Sequence, residues 1–122
     1  MKKLPDAEFE LMQIIWNNPC PISTNQIIDK LEKPAQWKAQ TVLSFLSRLE
    51  EKGFIESRRV GRERLYEPTV DQQEYLTFEY GQFMRKFQAN SFMNLVNTLY
   101  QNKNVSKQDL QAIQGLLDEE EQ

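Results

Sequence analysis

"TVLSFLSRLEEKGFIESRRVGRERLYEP", residues 41–68, joins an amphipathic helix to an arginine-laced ribbon. Val42, Phe45, Leu46 and Leu49 recur at i, i+3, i+4 and i+7, which puts them on one buried helical stripe. Gln40, Thr41, Ser44, Ser47 and Arg48 fall on the other side. A solvated helix face usually carries Glu and Lys. This one offers hydroxyls, an amide and one guanidinium, groups small enough to lie close against a flat partner. Lys52-Gly53 stops the helix, because glycine takes the left-handed conformation of a C-terminal cap without strain. Ile55–Arg59 and Arg62–Glu67 then flank Val60-Gly61, the outline of a short hairpin.

Upstream, Asp6 reads as an N-cap and Phe9, Met12, Ile15 and Trp16 recur at helical spacing, so a first helix is expected from about Ala7 to Asn17. Pro19 and Pro21 forbid its continuation and leave an extended connector. Ser23-Thr24-Asn25-Gln26 reads as a capping box. The second helix that follows buries Ile27, Ile28 and Leu31 and stops before Pro34. Helix, connector, helix, helix, two-stranded ribbon is the order of a winged helix-turn-helix, with residues 40–52 as its recognition helix.

Downstream of Pro68 the chain becomes aromatic. Leu76, Tyr80, Phe83 and Phe87 are spaced by 4, 3 and 4, a heptad-like seam. Phe92, Leu95, Val96 and Leu99 extend the apolar pattern. Ser106 to Asp109 cap a last amphipathic helix bearing Leu110, Ile113, Leu116 and Leu117. Three helices in roughly fifty residues bury too little surface to stand alone, so they are expected to interlock with a second copy. The fold expected is mainly α with a small β-ribbon: a winged helix over 1–69 and a helical dimerisation region over 70–122.

Composition narrows the function. The 122 residues contain no histidine and a single cysteine, which removes Ser-His-Asp and Cys-His schemes and most zinc sites. No glycine-rich phosphate loop occurs. An enzyme is therefore not expected, nor is a metal or cofactor. Cys20, alone between prolines and with no cation beside it in sequence, reads as a small side chain rather than a thiol sensor. No apolar run of membrane-spanning length is present, and lone Cys20 fits a reducing cytoplasm. The net charge of −3 is unevenly spread. Residues 1–69 sum to +1 and 70–122 to −4, and between Trp37 and Arg64 seven basic residues face four acidic ones. A net acidic chain can still bind nucleic acid when its cations line one face.

"DAEFELMQIIW", "STNQIIDKL", "WKAQTVLSFLSRLEEKGFI", "LVNTLY" and "SKQDLQAIQGLL" resemble the penicillinase and methicillin-resistance repressors of bacteria (BlaI/MecI), to which the copper-responsive CopY repressors are related. The most specific match is T-[VI]-x-[ST]-x-L-x-R-L-x-x-K-G, carried by Thr41, Val42, Ser44, Leu46, Arg48, Leu49, Lys52 and Gly53. The resemblance implies a homodimeric repressor that binds palindromic operators. In its β-lactam branch a membrane sensor triggers proteolysis in the C-terminal region, and the dimer lets go. That branch is cut at Asn-Phe. The corresponding place here is Thr98-Leu99, so Asn97, Thr98 and Leu99 mark the cleavage region and a sensor-linked protease the added partner. The copper branch ends in a cysteine cluster, which this tail lacks.

On this reading the third helix enters the major groove of an operator duplex. Lys38, Gln40, Thr41, Leu43, Ser44, Ser47 and Arg48 face the DNA, and Arg58, Arg62 and Arg64 grip phosphates from the ribbon. Leu43 stands where relatives often have Arg or Lys, and it can meet a thymine methyl. Leu76, Tyr80, Phe83, Phe87, Phe92, Leu95, Val96, Leu99, Leu110, Ile113 and Leu117 form the dimer seam. Two other readings stay open. A winged helix can serve as a protein-interaction module, and the alternating charges of "GRER" also suit a hairpin that merely resists edge aggregation. The chain could also regulate another stress operon with a different inducer.

Overall fold

The computed structural model describes residues 1–33, 36–87 and 92–120. The first elements are α1 (Asp6–Trp16), β1 (Ile22–Ser23), α2 (Thr24–Asp29), α3 (Ala39–Glu51), β2 (Ile55–Val60) and β3 (Glu63–Pro68). Three helices follow: α4 (Gln72–Phe87), α5 (Phe92–Gln101) and α6 (Lys107–Glu120). The chain divides into two compact units, Met1–Glu79 and Tyr80–Gln122.

The first unit is a winged helix. Leu11, Met12 and Ile15 of α1, Ile27 of α2, and Val42, Leu46 and Leu49 of α3 are fully buried, and Ile22, Phe54, Ile55 and Tyr66 close the core from the sheet side. Each such side chain contributes roughly 1.5–3 kcal/mol of burial. Three strands in the order β1-β3-β2 form the sheet, both pairings antiparallel. The wing is therefore anchored: Ile22 and Ser23 pair with Tyr66 and Leu65, turning the extended connector expected between the prolines and α2 into an edge strand.

Capping chemistry explains most boundaries. Ser23 and Gln26 make the reciprocal capping box, with the Gln26 amide donating to Ser23 Oγ at 3.2 Å and the Ser23 amide donating to Gln26 Oε1 at 2.9 Å. Ser106 and Asp109 repeat the arrangement at the start of α6. Gly53 has φ of 80°, as the left-handed stop after α3 requires. Three local expectations need correction. Pro5, not Asp6, is the N-cap of α1; its carbonyl accepts from the Phe9 amide at 2.9 Å, and Asp6 joins Glu8 in the first turn. Helix α2 ends at Asp29, so Leu31 is buried from beyond the helix rather than within it. The hairpin turn is Gly61-Arg62 rather than Val60-Gly61. Gly61 has φ of 64° and Arg62 is not in the left-handed region, the pattern of a type II′ turn.

A charged pair reaches from the surface into this core. Glu8 on α1 is buried and accepts from Lys52 Nζ at 2.6 Å, which ties α1 to the end of α3. A buried carboxylate without a partner would cost several kcal/mol, so Lys52 is needed whatever net stabilisation the pair gives.

The winged unit also takes in the start of α4. Tyr75 is fully buried among the rings of Phe9, Trp16, Phe54 and Phe78, at centroid distances of 5.4–6.1 Å. Its hydroxyl accepts from the Leu4 amide at 2.7 Å, and Trp16 Nε1 donates to the Val70 carbonyl at 2.8 Å. Burial, partly offset by the Leu4 amide and reinforced by the neighbouring Glu79 carboxylate, pushes the Tyr75 hydroxyl up to about 12. The compact unit thus runs past the Thr69/Val70 boundary read from the sequence, because the first turns of α4 complete its aromatic core.

In the second unit, Phe83 and Phe87 rings pack at 4.7 Å. Helix α5 ends in a turn where Lys103 has φ of 63° and the Asn104 and Val105 amides both donate to the Leu99 carbonyl. Large apolar side chains stay exposed in the single chain: Tyr80, Phe83, Phe87, Met93, Tyr100, Ile113 and Leu116, the last at 64%. Among the described residues no helix is long and apolar enough to cross a membrane.

Candidate nucleic-acid interface

Helix α3 presents the face expected of it. Gln40, Leu43, Ser44, Ser47 and Arg48 are exposed, and Thr41 is half-buried at its flank. Lys38 is the extended N-cap; its carbonyl accepts from the Thr41 and Val42 amides and its side chain is free of any capping bond. The first turn of α3 has no acidic residue, whereas that of α1 carries Asp6 and Glu8. The positive end of the α3 dipole is therefore uncompensated beside a lysine, which favours an anion there.

Side chains on this face differ in freedom. Ser44 Oγ donates to the Gln40 carbonyl at 3.1 Å, which leaves the hydroxyl oxygen ready to accept. Leu43 is 38% exposed between polar neighbours. Phe45 is half-buried rather than fully in the core: its ring meets Trp37 edge-on at 5.2 Å, and the Arg48 guanidinium lies 5.9 Å from its centroid. Arg48 thus has an aromatic support that spacing alone did not reveal.

In the ribbon Arg58, Arg59, Arg62 and Arg64 are all exposed. Arg59 pairs with Arg64 in register, and Ser57 with Tyr66. Strand residues two apart share a face, so Ser57, Arg59 and Arg64 lie on the face that carries buried Tyr66. Arg58 lies on the opposite face with Glu56, Leu65 and Glu67, and these four, with Ser57, line a hollow of about 120 Å³. Arg62 occupies the turn at the tip. Arg59, missing from the sequence-derived set, shares its face with Arg64; strand alternation, counted from buried Tyr66, was the signal that could have found it.

Nothing at this surface suggests catalysis. Among the described residues there is no group of three or more Cys, Asp or Glu able to hold a metal ion. Cys20 donates through its thiol to the Ile15 carbonyl at 3.3 Å, and burial of the sulfur, then the Glu67 charge, push the thiol up, away from a reactive thiolate.

The seam residues fall in two places. Leu76 lies in the winged unit, half-buried one position beyond Tyr75. Tyr80, Phe83, Phe87 and Ile113 are exposed in the second unit, and Leu95, Val96, Leu99 and Leu110 are half-buried there. The side chains of Phe92 and Leu117 lie outside the described residues. Asn97, Thr98 and Leu99 sit within α5, where the Thr98 carbonyl accepts from the Asn102 amide at 3.0 Å.

Fold and interface define a winged helix-turn-helix with a C-terminal helical region, the architecture of a transcription regulator. The penicillinase repressor family matches residues 4–119, and the chain belongs to that family. It is 30% identical over 122 residues to the penicillinase repressor of Bacillus licheniformis, covering 98% of this chain and 94% of that one. It is 24% identical over 115 residues to the methicillin resistance regulatory protein MecI of Staphylococcus aureus strain N315, covering 94% and 93%. Among solved structures, the DNA-binding domain of the repressor BlaI is 37% identical, covers 62% of this chain and 94% of that domain, and superposes with a TM-score of 0.52. Monomeric B. licheniformis BlaI in complex with the blaP half-operator is 35% identical, covers 61% and 89%, and gives a TM-score of 0.50. Family and fold together support a DNA-binding transcriptional repressor rather than an enzyme.

Proposed function

We propose that the protein is a dimeric repressor that binds an inverted-repeat operator, inserting α3 of each protomer into the major groove and resting each ribbon on the flanking backbone. The observation that carries this reading is the α3 face itself: exposed Gln40, Ser44, Ser47 and Arg48, with Thr41 at the flank and no carboxylate in its first turn, beside a hairpin bearing four exposed arginines. The similar repressor solved on a half-operator supports it. Gln40, Thr41, Leu43 and Ser44 read base edges, Arg48 reaches a base or a phosphate, and Lys38 and the ribbon arginines hold phosphates. The exposed Tyr80, Phe83, Phe87 and Leu116 support a second copy as the cover of the C-terminal helices. Two-fold symmetry then places the half-sites about one helical turn, or a multiple of it, apart.

The test is selection from a random-duplex library, followed by titration of the recovered sequence against salt. Recovery of an inverted repeat is expected, and Arg62→Ala should lower the salt slope by about 0.9 for each phosphate left without its cation. Absence of any enriched repeat, with the dimer intact, would favour a protein-interaction module.

Control of β-lactam resistance genes with release by proteolysis at Asn97–Leu99 is the family-based account of induction. A second reading, a different stress operon with another inducer, is favoured by Thr98-Leu99 standing at that place with its backbone hydrogen-bonded inside α5. Intact-mass measurement of the chain after β-lactam exposure, with repression followed alongside, separates them: a cut at this bond with derepression supports the first, and an uncut chain that keeps repressing supports the second.

A further inference from the structure

The recognition helix and the wing are joined by a polar relay that neither element's sequence pattern suggests. Glu50 lies near the end of α3, Ser57 in β2 and Arg64 in β3. Ser57 Oγ donates to Glu50 Oε1 at 2.7 Å, and Arg64 Nη1 donates to Ser57 Oγ at 2.9 Å. The serine hydroxyl has one proton to give and lone pairs to receive. With the proton committed to the carboxylate, its oxygen can only accept, which orients the guanidinium. None of Arg58, Arg59 and Arg62 has such a hydrogen bond among the described residues.

Register makes the relay consequential. Arg64 pairs with Arg59, so two guanidiniums occupy directly opposed positions on one face and repel. Drawing Arg64 back along the ribbon toward Glu50 separates them. One cation is then registered against α3 while Arg59 and Arg62 stay toward the tip. We propose that Glu50 and Ser57 are positioning residues for DNA binding, holding the Arg64 guanidinium at the junction of α3 and the ribbon so that it meets a backbone phosphate beside the groove α3 occupies. The inference rests on the repressor reading above and assigns a role to an acidic residue that would otherwise only oppose phosphate. A guanidinium carries five N–H donors, so the bond to Ser57 leaves others to face the phosphate. Because the three side chains are at most half-buried, the relay contributes little to folding, and its effect belongs in binding.

The experiment is a double-mutant cycle between Ser57→Ala and Arg64→Ala, read as affinity for the duplex selected by the native protein and for a random duplex of equal length. Ser57→Ala alters no formal charge. It is expected to weaken the selected duplex roughly two- to tenfold, the range of one net hydrogen bond, and to have no further effect once Arg64 is alanine. Ser57→Thr, which keeps the hydroxyl on a strand-favouring residue, should restore native affinity. Unchanged affinity in Ser57→Ala, or an equal loss in the Arg64→Ala background, would overturn the positioning role while leaving the repressor reading standing. Failure of the native protein itself to select any duplex would overturn the repressor reading instead.

Discussion

The two units of this chain solve the problem of a small core in opposite ways. Met1–Glu79 closes its core within one chain: among the described residues fourteen apolar ones are buried, from Leu4 to Tyr75, and its buried carboxylate has a partner in Lys52. In Tyr80–Gln122, by contrast, Tyr80, Phe83, Phe87, Tyr100, Ile113 and Leu116 remain exposed. The lesson is that apolar periodicity says which face of a helix is sticky but not what will cover it. In α4 both answers meet in one helix, since Tyr75 turns into the winged core while Tyr80 and Phe83 do not.

The largest effect should come from cutting the chain on either side of those first α4 turns. A fragment ending at Glu79 should unfold cooperatively on its own. One ending at Thr69 should lose about 3–5 kcal/mol, the order of deleting a fully buried aromatic side chain, as measured by urea unfolding followed through tryptophan fluorescence. Equal stability of the two fragments would break the comparison and return the boundary to Thr69/Val70.

A smaller effect should follow from Tyr75→Phe, which leaves the Leu4 amide without its acceptor in a buried place and should cost about 1–3 kcal/mol. The same residue gives the winged unit an alkaline limit. Its folded-state hydroxyl titrates near 12 against an ordinary 10, so its neutral form is favoured by folding. That contribution is complete below about pH 10 and is lost as pH rises from there toward about 12. Phenolate absorbance should show an ionisation delayed toward about 12 that Tyr75→Phe removes, with unfolding over the same range. Absence of any delayed ionisation that Tyr75→Phe removes would refute the buried assignment.

The smallest effect, and the one that sharpens the contrast most, is Phe83→Ala. It should leave the thermal transition of the Met1–Glu79 fold unmoved while weakening self-association by about 1 kcal/mol, seen by sedimentation as a dimer that dissociates at higher concentration. A loss of winged-unit stability instead would show that Phe83 belongs to the first core.

Much of the candidate interface is legible in the sequence. The stripe of Val42, Leu46 and Leu49 forces Gln40, Ser44, Ser47 and Arg48 outward, because helical geometry is local and needs no knowledge of the partner. The capping boxes at Ser23 and Ser106 are readable for the same reason: each closes within four residues. The type of fold follows from the order of such local signals.

Long-range pairing decided the rest. A two-residue strand at Ile22-Ser23 carries no periodicity of its own and exists only because β3 lies beside it. The α4 aromatics share one local pattern, yet Phe9, Trp16 and Phe54, distant in sequence, claim Tyr75 for the winged core. Phe45 belongs to the core stripe by spacing, yet with Trp37 packed against it the ring is a half-buried support for Arg48. The Glu50–Ser57–Arg64 relay needed a helix end and two strands brought together. By itself the sequence determined which residues form helices and which faces they expose, since those follow from bonds a few residues long. Only the tertiary structure decided which apolar face closes inside the chain and which ribbon arginine is tethered, because those outcomes depend on contacts between segments that the sequence keeps apart.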